Sequence, residues 1–158
     1  MKLYKYILFA AALTIASIMA IATGHAHEIK FGNLVIVHPW SRQPPENADV
    51  ASGFMKIINN GKEDDRLVKV TAEISDTVQL HAMTMEGDVM KMTELPEGIP
   101  IPAGQTVVLK PKSFHVMFMN LKSQPVADTE FHGTLTFEKA GTVEVDFEVA
   151  EPGGEGHD

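Results

Sequence analysis

Two side chains that bind soft metals recur between His81 and Met119. The stretch opens His81-Ala82-Met83-Thr84-Met85, continues Met90-Lys91-Met92 and closes His115-Val116-Met117-Phe118-Met119. Six of the nine Met and two of the seven His of the chain lie here, so the density itself asks for a reason. Met usually fills irregular gaps in a core. Its thioether is also a soft, neutral ligand that favours Cu(I) over Zn, Mg or Ca, and imidazole suits copper as well. The chain has no Cys, which excludes zinc fingers, iron–sulfur clusters and blue-copper thiolate sites. Thioether carries no proton, so only the His ligands of such a site would make binding depend on pH.

Parity gathers these side chains onto surfaces. His81, Met83 and Met85 alternate, so on a strand they share one face. Glu86-Gly87-Asp88-Val89 reads as a tight hairpin with Gly87-Asp88 at its turn. That turn pairs Met85 with Met90 and Met83 with Met92. Paired residues point to the same side of a sheet. His81 and four Met then occupy one face. His115, Met117 and Met119 alternate likewise, with Phe114, Val116 and Phe118 turned the other way.

The elements that hold these segments read as strands. Asn33 to Val37 is a short apolar run closed by His38-Pro39-Trp40. Ser41 to Ala48 carries Pro44-Pro45 and reads as a surface loop. Strands are expected at 51–58, 67–74, 78–85, 89–95, 106–109, 114–121, 130–137 and 143–149, with a turn at Asn59-Asn60-Gly61. Pro96 to Gly104 holds three Pro and two Gly and reads as a loop. About nine short strands at regular spacing and no convincing helix give an all-β, single-domain Greek-key sandwich. Its expected core is Leu34, Ile36, Trp40, Phe54, Ile57, Leu67, Val70, Leu80, Val108, Phe118, Leu121, Leu135, Phe137, Val145 and Phe147. His38 and His132 have no evident partner in the sequence and are read as structural. Residues 151–158 are Gly-rich and read as a disordered tail.

The first 26 residues stand apart from that domain, which spans 27–150. Met1-Lys2-Leu3-Tyr4-Lys5 is basic, and Ile7 to Ala22 is apolar apart from Thr14 and Ser17. Small residues then offer cleavage after Ala22 or after Ala26. This is the pattern of a secretory signal peptide. The alternative, a membrane anchor, needs a longer run and a basic flank. Cleavage removes Lys2 and Lys5 and no acid, so 13 basic residues become 11 against 21 acidic ones, a net charge of −10. Such a surface repels nucleic acid and anionic membranes, and it suits a soluble periplasmic protein. Without Cys, stability there must come from the core rather than cross-links, and no N-terminal Cys is present to lipidate. Cleavage after Ala22 would expose Thr23-Gly24-His25, whose amine, amides and imidazole can hold Cu(II) in a square plane. Cleavage after Ala26 would put His27 first.

Several segments together resemble the periplasmic copper chaperone family PCuAC. They are His38-Pro39-Trp40-Ser41-Arg42, Asp65-Arg66-Leu67-Val68, Leu80-His81-Ala82-Met83 and Met85 to Met92. To these add Ile101-Pro102-Ala103-Gly104, Phe114-His115-Val116-Met117 and Leu135-Thr136-Phe137. The similarity runs from about Ile36 to Val149. It implies a cupredoxin-like fold and a Cu(I) site made by His81, Met92, His115 and Met117. The gap of residues 93–114 is one longer than the family spacing, and the extra residue is assigned to the Pro96 to Gly104 loop. Unlike relatives with a His- and Met-rich extension, this tail has only His157.

The resemblance implies a monomeric Cu(I) carrier, not an enzyme. It would pass copper to an acceptor protein, toward the copper centre of cytochrome c oxidase. Met83, Met85 and Met119 are expected to pack around or shield the ion, or to serve as transient ligands during transfer, and Met90 shares the parity of Met92 and could stand in for it. A periplasmic copper buffer is the alternative, and a metal-free structural or adhesive sandwich is a weaker one. A thiol–disulfide enzyme is excluded by the absence of Cys.

Overall fold

The computed structural model describes residues 27–156. The expected signal peptide, its two cleavage points and the Thr23-Gly24-His25 site lie outside the described residues, as do His157 and Asp158.

Eleven strands run in order: β1 (Glu28–Phe31), β2 (Leu34–Arg42), β3 (Val50–Asn59), β4 (Asp65–Ala72), β5 (Ser75–Glu86), β6 (Val89–Glu94), β7 (Ile99–Ile101), β8 (Thr106–Leu109), β9 (His115–Leu121), β10 (Glu130–Phe137) and β11 (Gly141–Ala150). Seven of them close on themselves in the order β2-β11-β10-β4-β5-β9-β3 and back to β2. Closure removes the exposed edges that an open sheet would present. β2 and β11 are parallel, and the other neighbours in the ring are antiparallel. The remaining strands are appendages: β6 extends β5, β7 lies on β4, β8 on β3 and β1 on β2. The expected all-β single domain is what forms.

Alternation produces this architecture. In β11, Val145, Phe147 and Val149 are buried while Glu144, Asp146 and Glu148 face outward. The same period sends Leu80, Val116 and Phe118 inward from β5 and β9. Phe118, Phe131 and Phe147 meet at the centre, with ring centroids 5.1–5.4 Å apart. Glycine makes room for them. A Cβ on Gly53 would lie 2.8 Å from the Phe118 ring, and one on Gly133 would lie 2.4 Å from the Thr71 carbonyl.

Four expectations change. Val108 is 40% exposed and Leu121 only half-buried, because β8 is an edge strand and Leu121 ends β9. Trp40 and Phe54 are buried but outside the main core. The register of β2 on β3 shifts between Val37 and Trp40, where His38 takes φ 49°. This bulge moves Trp40 to the outer face, opposite Phe54, with ring centroids 4.6 Å apart. Pro96 to Gly104 is not all loop: Ile99 and Ile101 are fully buried in β7. Pro100 between them is tolerated on an edge strand and hides the alternation. Lastly, β2 continues through Arg42 instead of ending at Val37. The described tail residues turn back over it, and Arg42 Nε donates to the Gly154 carbonyl at 2.5 Å.

Truncating Phe118 to Ala should cost about 3–5 kcal/mol, as for other buried aromatics. Val108→Ala should stay within about 0.5 kcal/mol, as for exposed sites. Urea unfolding of both variants checks the burial assignments. Equal losses would mean that Val108 is packed after all.

Candidate metal centre

The site grows from two ladders on β5. On one side β9 pairs antiparallel, with His81 directly opposite His115, Gln79 opposite Met117 and Thr77 opposite Met119. On the other side β6 places Glu94 opposite His81, Met92 opposite Met83 and Met90 opposite Met85. The hairpin is the one the sequence predicts, with Gly87 at φ 64° in its turn. Opposed residues share a side. One outer face therefore carries a row of Glu94, His81 and His115. The Met83–Met92 pair lies above that row, and Met117 lies below it.

The two imidazoles are brought together. Their ring centroids are 5.5 Å apart and their planes meet at 79°. Metal–imidazole nitrogen bonds of about 2.0–2.1 Å, as in zinc sites, put each centroid roughly 3.2 Å from a shared ion. A separation of 5.5 Å then corresponds to an angle of about 120° at the ion, which suits a three- or four-coordinate site. Both rings are nearly dry, at 8% exposure for His81 and 5% for His115.

Hydrogen bonds select which nitrogen is free. His115 Nδ1 lies 3.0 Å from the Ser113 carbonyl, so it donates and leaves the Nε2 lone pair open. His81 Nε2 lies 2.9 Å from Gln79 Oε1, so it donates and leaves Nδ1 as the acceptor. That Nδ1 is buried with no hydrogen-bond partner. An unsatisfied buried acceptor costs about 1–3 kcal/mol, and a metal ion would satisfy it. A second imidazole hydrogen bond that fixes tautomer and ring angle is usual around bound metals.

Burial lowers the pKa of His81 first, the neighbouring His115 lowers it further, and Glu94 pulls it partly back up. His81 is therefore neutral and ligand-ready at neutral pH.

The thioethers are placed less uniformly. Met117 follows His115 on the same face, is half-buried, and lines a groove with Pro44, Pro45, Val50 and Phe54. Met92 sits diagonally from His81 and is 47% exposed. On a flat sheet, with strands about 4.8 Å apart and a rise near 3.4 Å, the Cα atoms of 92 and 117 would be roughly 17 Å apart. Met92 can meet the ion only if its arm curls. The arm is a two-stranded ribbon beyond the barrel, held at its root by the Met83 amide donating to the Ser113 carbonyl at 3.2 Å. Such ribbons twist strongly. Met90 lies one pair further out than Met92, so the register ranks it below Met92 as a ligand. Met119, opposite Thr77 and Val50, lies beyond Met117 and away from the imidazoles.

Gln79, Ser113 and Glu94 were not singled out in the sequence. Gln79 was legible in principle, since it lies two residues before His81 and so on its face. The other two need the ladder. His38 and His132, read as lacking partners, acquire carboxylates from β11: His38 Nδ1 lies 3.7 Å from Glu148, and His132 Nδ1 lies 3.0 Å from Asp146. Among the described residues no three His, Cys, Asp or Glu cluster to form a hard-ligand metal site.

Residues 34–149 match the family model described as "Putative lipoprotein LpqE-like". The chain belongs to this LpqE-like family, the PCuAC family. Its fold is similar to the copper-bound PCuAC domain from PmoF2, at 29% identity and a TM-score of 0.69, covering 80% of this chain and 99% of that one. It is equally similar to the apo PCuAC domain from PmoF1, at 29% identity, a TM-score of 0.69, and coverage of 80% and 100%. The Cu(I) form of DR1885 from Deinococcus radiodurans shares the fold at 22% identity and a TM-score of 0.62, covering 79% and 81%. "Putative lipoprotein Lxx21020" of Leifsonia xyli is 30% identical over 93 residues, which are 59% of this chain and 56% of that protein. The chain thus spans about half the length of this curated relative. Its own sequence contains no Cys thiol for a lipid thioether.

The His81 pKa shift fixes a pH dependence. The unfolded chain protonates His81 near 6.5, and the metal-free fold protonates it lower. The unfolded state therefore binds more protons between those values, and the His81 contribution to stability falls as pH drops from about 6.5 through the depressed pKa. His132 has the opposite sign, because its hydrogen bond to Asp146 raises its pKa. Site-resolved NMR titration should show His81 with a midpoint below 6.5 and His132 above it. His115→Gln should move the His81 midpoint upward. A His81 midpoint unmoved in that variant would remove the coupling between the rings.

Proposed function

We propose that this domain is a copper(I) carrier working outside the cytoplasm. It binds Cu(I) through His81, Met92, His115 and Met117 and passes it to an acceptor protein, toward the copper centre of cytochrome c oxidase. One observation carries the reading: two nearly dry imidazoles stand directly opposite each other on adjacent strands, with a thioether next on the same face. The 29% identical PCuAC domain whose structure is copper-bound supports the choice of metal. The donor set supports the oxidation state, because neutral nitrogen and thioether ligands suit soft Cu(I).

A carrier must release its ion as well as bind it. Exposure of Met92 supports that requirement. A thioether on an exposed arm can leave first, opening a coordination position to an incoming ligand while the imidazoles still hold the ion. A buffer that stores copper has no need of such an open side, which is why delivery is the preferred reading. The signal-peptide pattern of residues 1–26 supports export, and the domain is taken to act as a monomer without nucleic-acid partners. The Cu(II) capture suggested for Thr23-Gly24-His25 or His27 remains a separate idea. Affinity for Cu(II) that survives trimming to Ile29 would end it.

Anaerobic titration with Cu(I) against a chromophoric chelator should give one tight equivalent in the mature protein. His115→Ala and Met117→Ala should each weaken it by more than about 10–100-fold, the loss typical of supporting residues that do not touch the metal. Met92→Leu should weaken it and speed its release. Binding as in the wild type in His115→Ala would overturn the assignment. Loss of oxidase activity on gene deletion, with copper tolerance retained, would separate delivery from buffering.

A further inference from the structure

The β5–β6 arm carries more thioether than one site uses. Met85 is 62% exposed, Met90 44% and Met92 47%. Large apolar side chains grouped in water mark a binding surface. Apart from Val89, the opposite side of the ribbon is polar, with Thr84, Lys91 and Thr93 exposed and Lys91 Nζ 3.1 Å from Glu86 Oε2. Strand propensity does not account for the Met side, since β-branched and aromatic residues would serve a ribbon better. Core packing does not account for it either, because the arm lies outside the barrel core.

The register adds geometry. Met83 faces Met92 and Met85 faces Met90, all on one side. Directly opposed Cβ atoms are about 4.5–5.5 Å apart, and the next pair lies about 7 Å along the ribbon. Each sulfur stands two bonds beyond its Cβ on an unbranched, freely rotating chain. Opposed sulfurs, and their diagonal neighbours, can therefore bracket a single ion. All four ligands are neutral and soft, which selects Cu(I) and rejects hard cations.

We propose that Met83, Met85, Met90 and Met92 form a second Cu(I) site built of thioether alone, through which the ion enters and leaves the imidazole site. This inference rests on the copper reading above. Met92 belongs to both sites and links them. Copper taken at the tip by Met85 and Met90 moves one pair inward to Met83 and Met92, and from Met92 to the imidazoles. The sulfurs exchange one at a time, each for another neutral donor, and no charged group is left unpaired.

The test follows the Met methyl groups by NMR while the mature protein, labelled at its Met methyls, is titrated anaerobically with Cu(I). The first equivalent should shift the His81 and His115 rings with the Met92 and Met117 methyls. The second should shift Met83, Met85 and Met90. The double variant M85L/M90L exchanges exposed side chains for ones of similar volume. It should keep the first equivalent, lose the second, and surrender the first to a chelator more slowly. A wild-type protein that takes one equivalent with Met85 and Met90 unmoved would overturn the thioether site and leave the carrier standing. A variant that still takes the second equivalent would also overturn it. Failure to bind any Cu(I) would remove both readings together.

Discussion

The pairing of His81 with His115 is the constraint on which the rest of the structure depends. Side chains alternate along a strand, so a slip of one residue between β5 and β9 would put Val116 opposite His81 and send His115 inward. The inner face prevents this. Leu80, Val116 and Phe118 are locked into the core with Phe131 and Phe147, and their alternation dictates where the intervening residues point. Core packing thereby fixes the distance between the two rings. It also supplies the free energy to hold them there, since two adjacent imidazoles repel when charged and one leaves a buried nitrogen without a partner.

An outer face is normally wet, and this one is dry where it needs to be. The bulge at His38 adds apolar cover beside Met117. Without the register shift, Trp40 would point into the barrel, which the Phe cluster already fills. With the shift, Trp40 packs on Phe54 outside, and the Arg42 guanidinium lies 5.5 Å from one ring centroid and 5.9 Å from the other. Residues 151–156 are tied down on the same side through Gly154. Phe54, Pro44 and Pro45 then wall the groove beside Met117. Positive φ at one residue of β2 thus helps to build the apolar surround of the neighbouring thioether.

Much of this was legible in the residues. Strict alternation in 78–85, 114–121 and 143–149, together with the Gly87-Asp88 turn, fixes the hairpin register and the shared face before any coordinates are known. What escaped has physical causes. Ile99 and Ile101 were hidden because Pro100 and its neighbours look like loop chemistry, yet an edge position tolerates them. Trp40 was assigned to the core because nothing local announces a bulge. Val108 alternates like a core residue but sits on an appended edge strand. The partners of His81 divide the same way: Gln79 follows from parity alone, whereas Glu94 and the Ser113 carbonyl arrive through pairings that only the closed sheet defines.

The closed sheet also divides the site into a half on strands paired on both sides and a half on a strand paired on one. His81, His115 and Met117 are anchored on strands paired on both sides, so their positions are as fixed as the core. Met92 hangs from a ribbon paired only with its own hairpin partner. A site made wholly of the first kind would hold an ion tightly and exchange it slowly, because no ligand could leave without straining the barrel. A site made wholly of the second kind would spend binding energy on ordering a loose arm. On the carrier reading, combining them would let affinity reside in the preorganised imidazoles while exchange proceeds at the arm. The amino-acid choice follows the same division. Imidazole, directional and held by a second hydrogen bond, occupies the buried row. Thioether, neutral and rotationally free, occupies the exposed end, where the ion would change hands on the carrier reading proposed above.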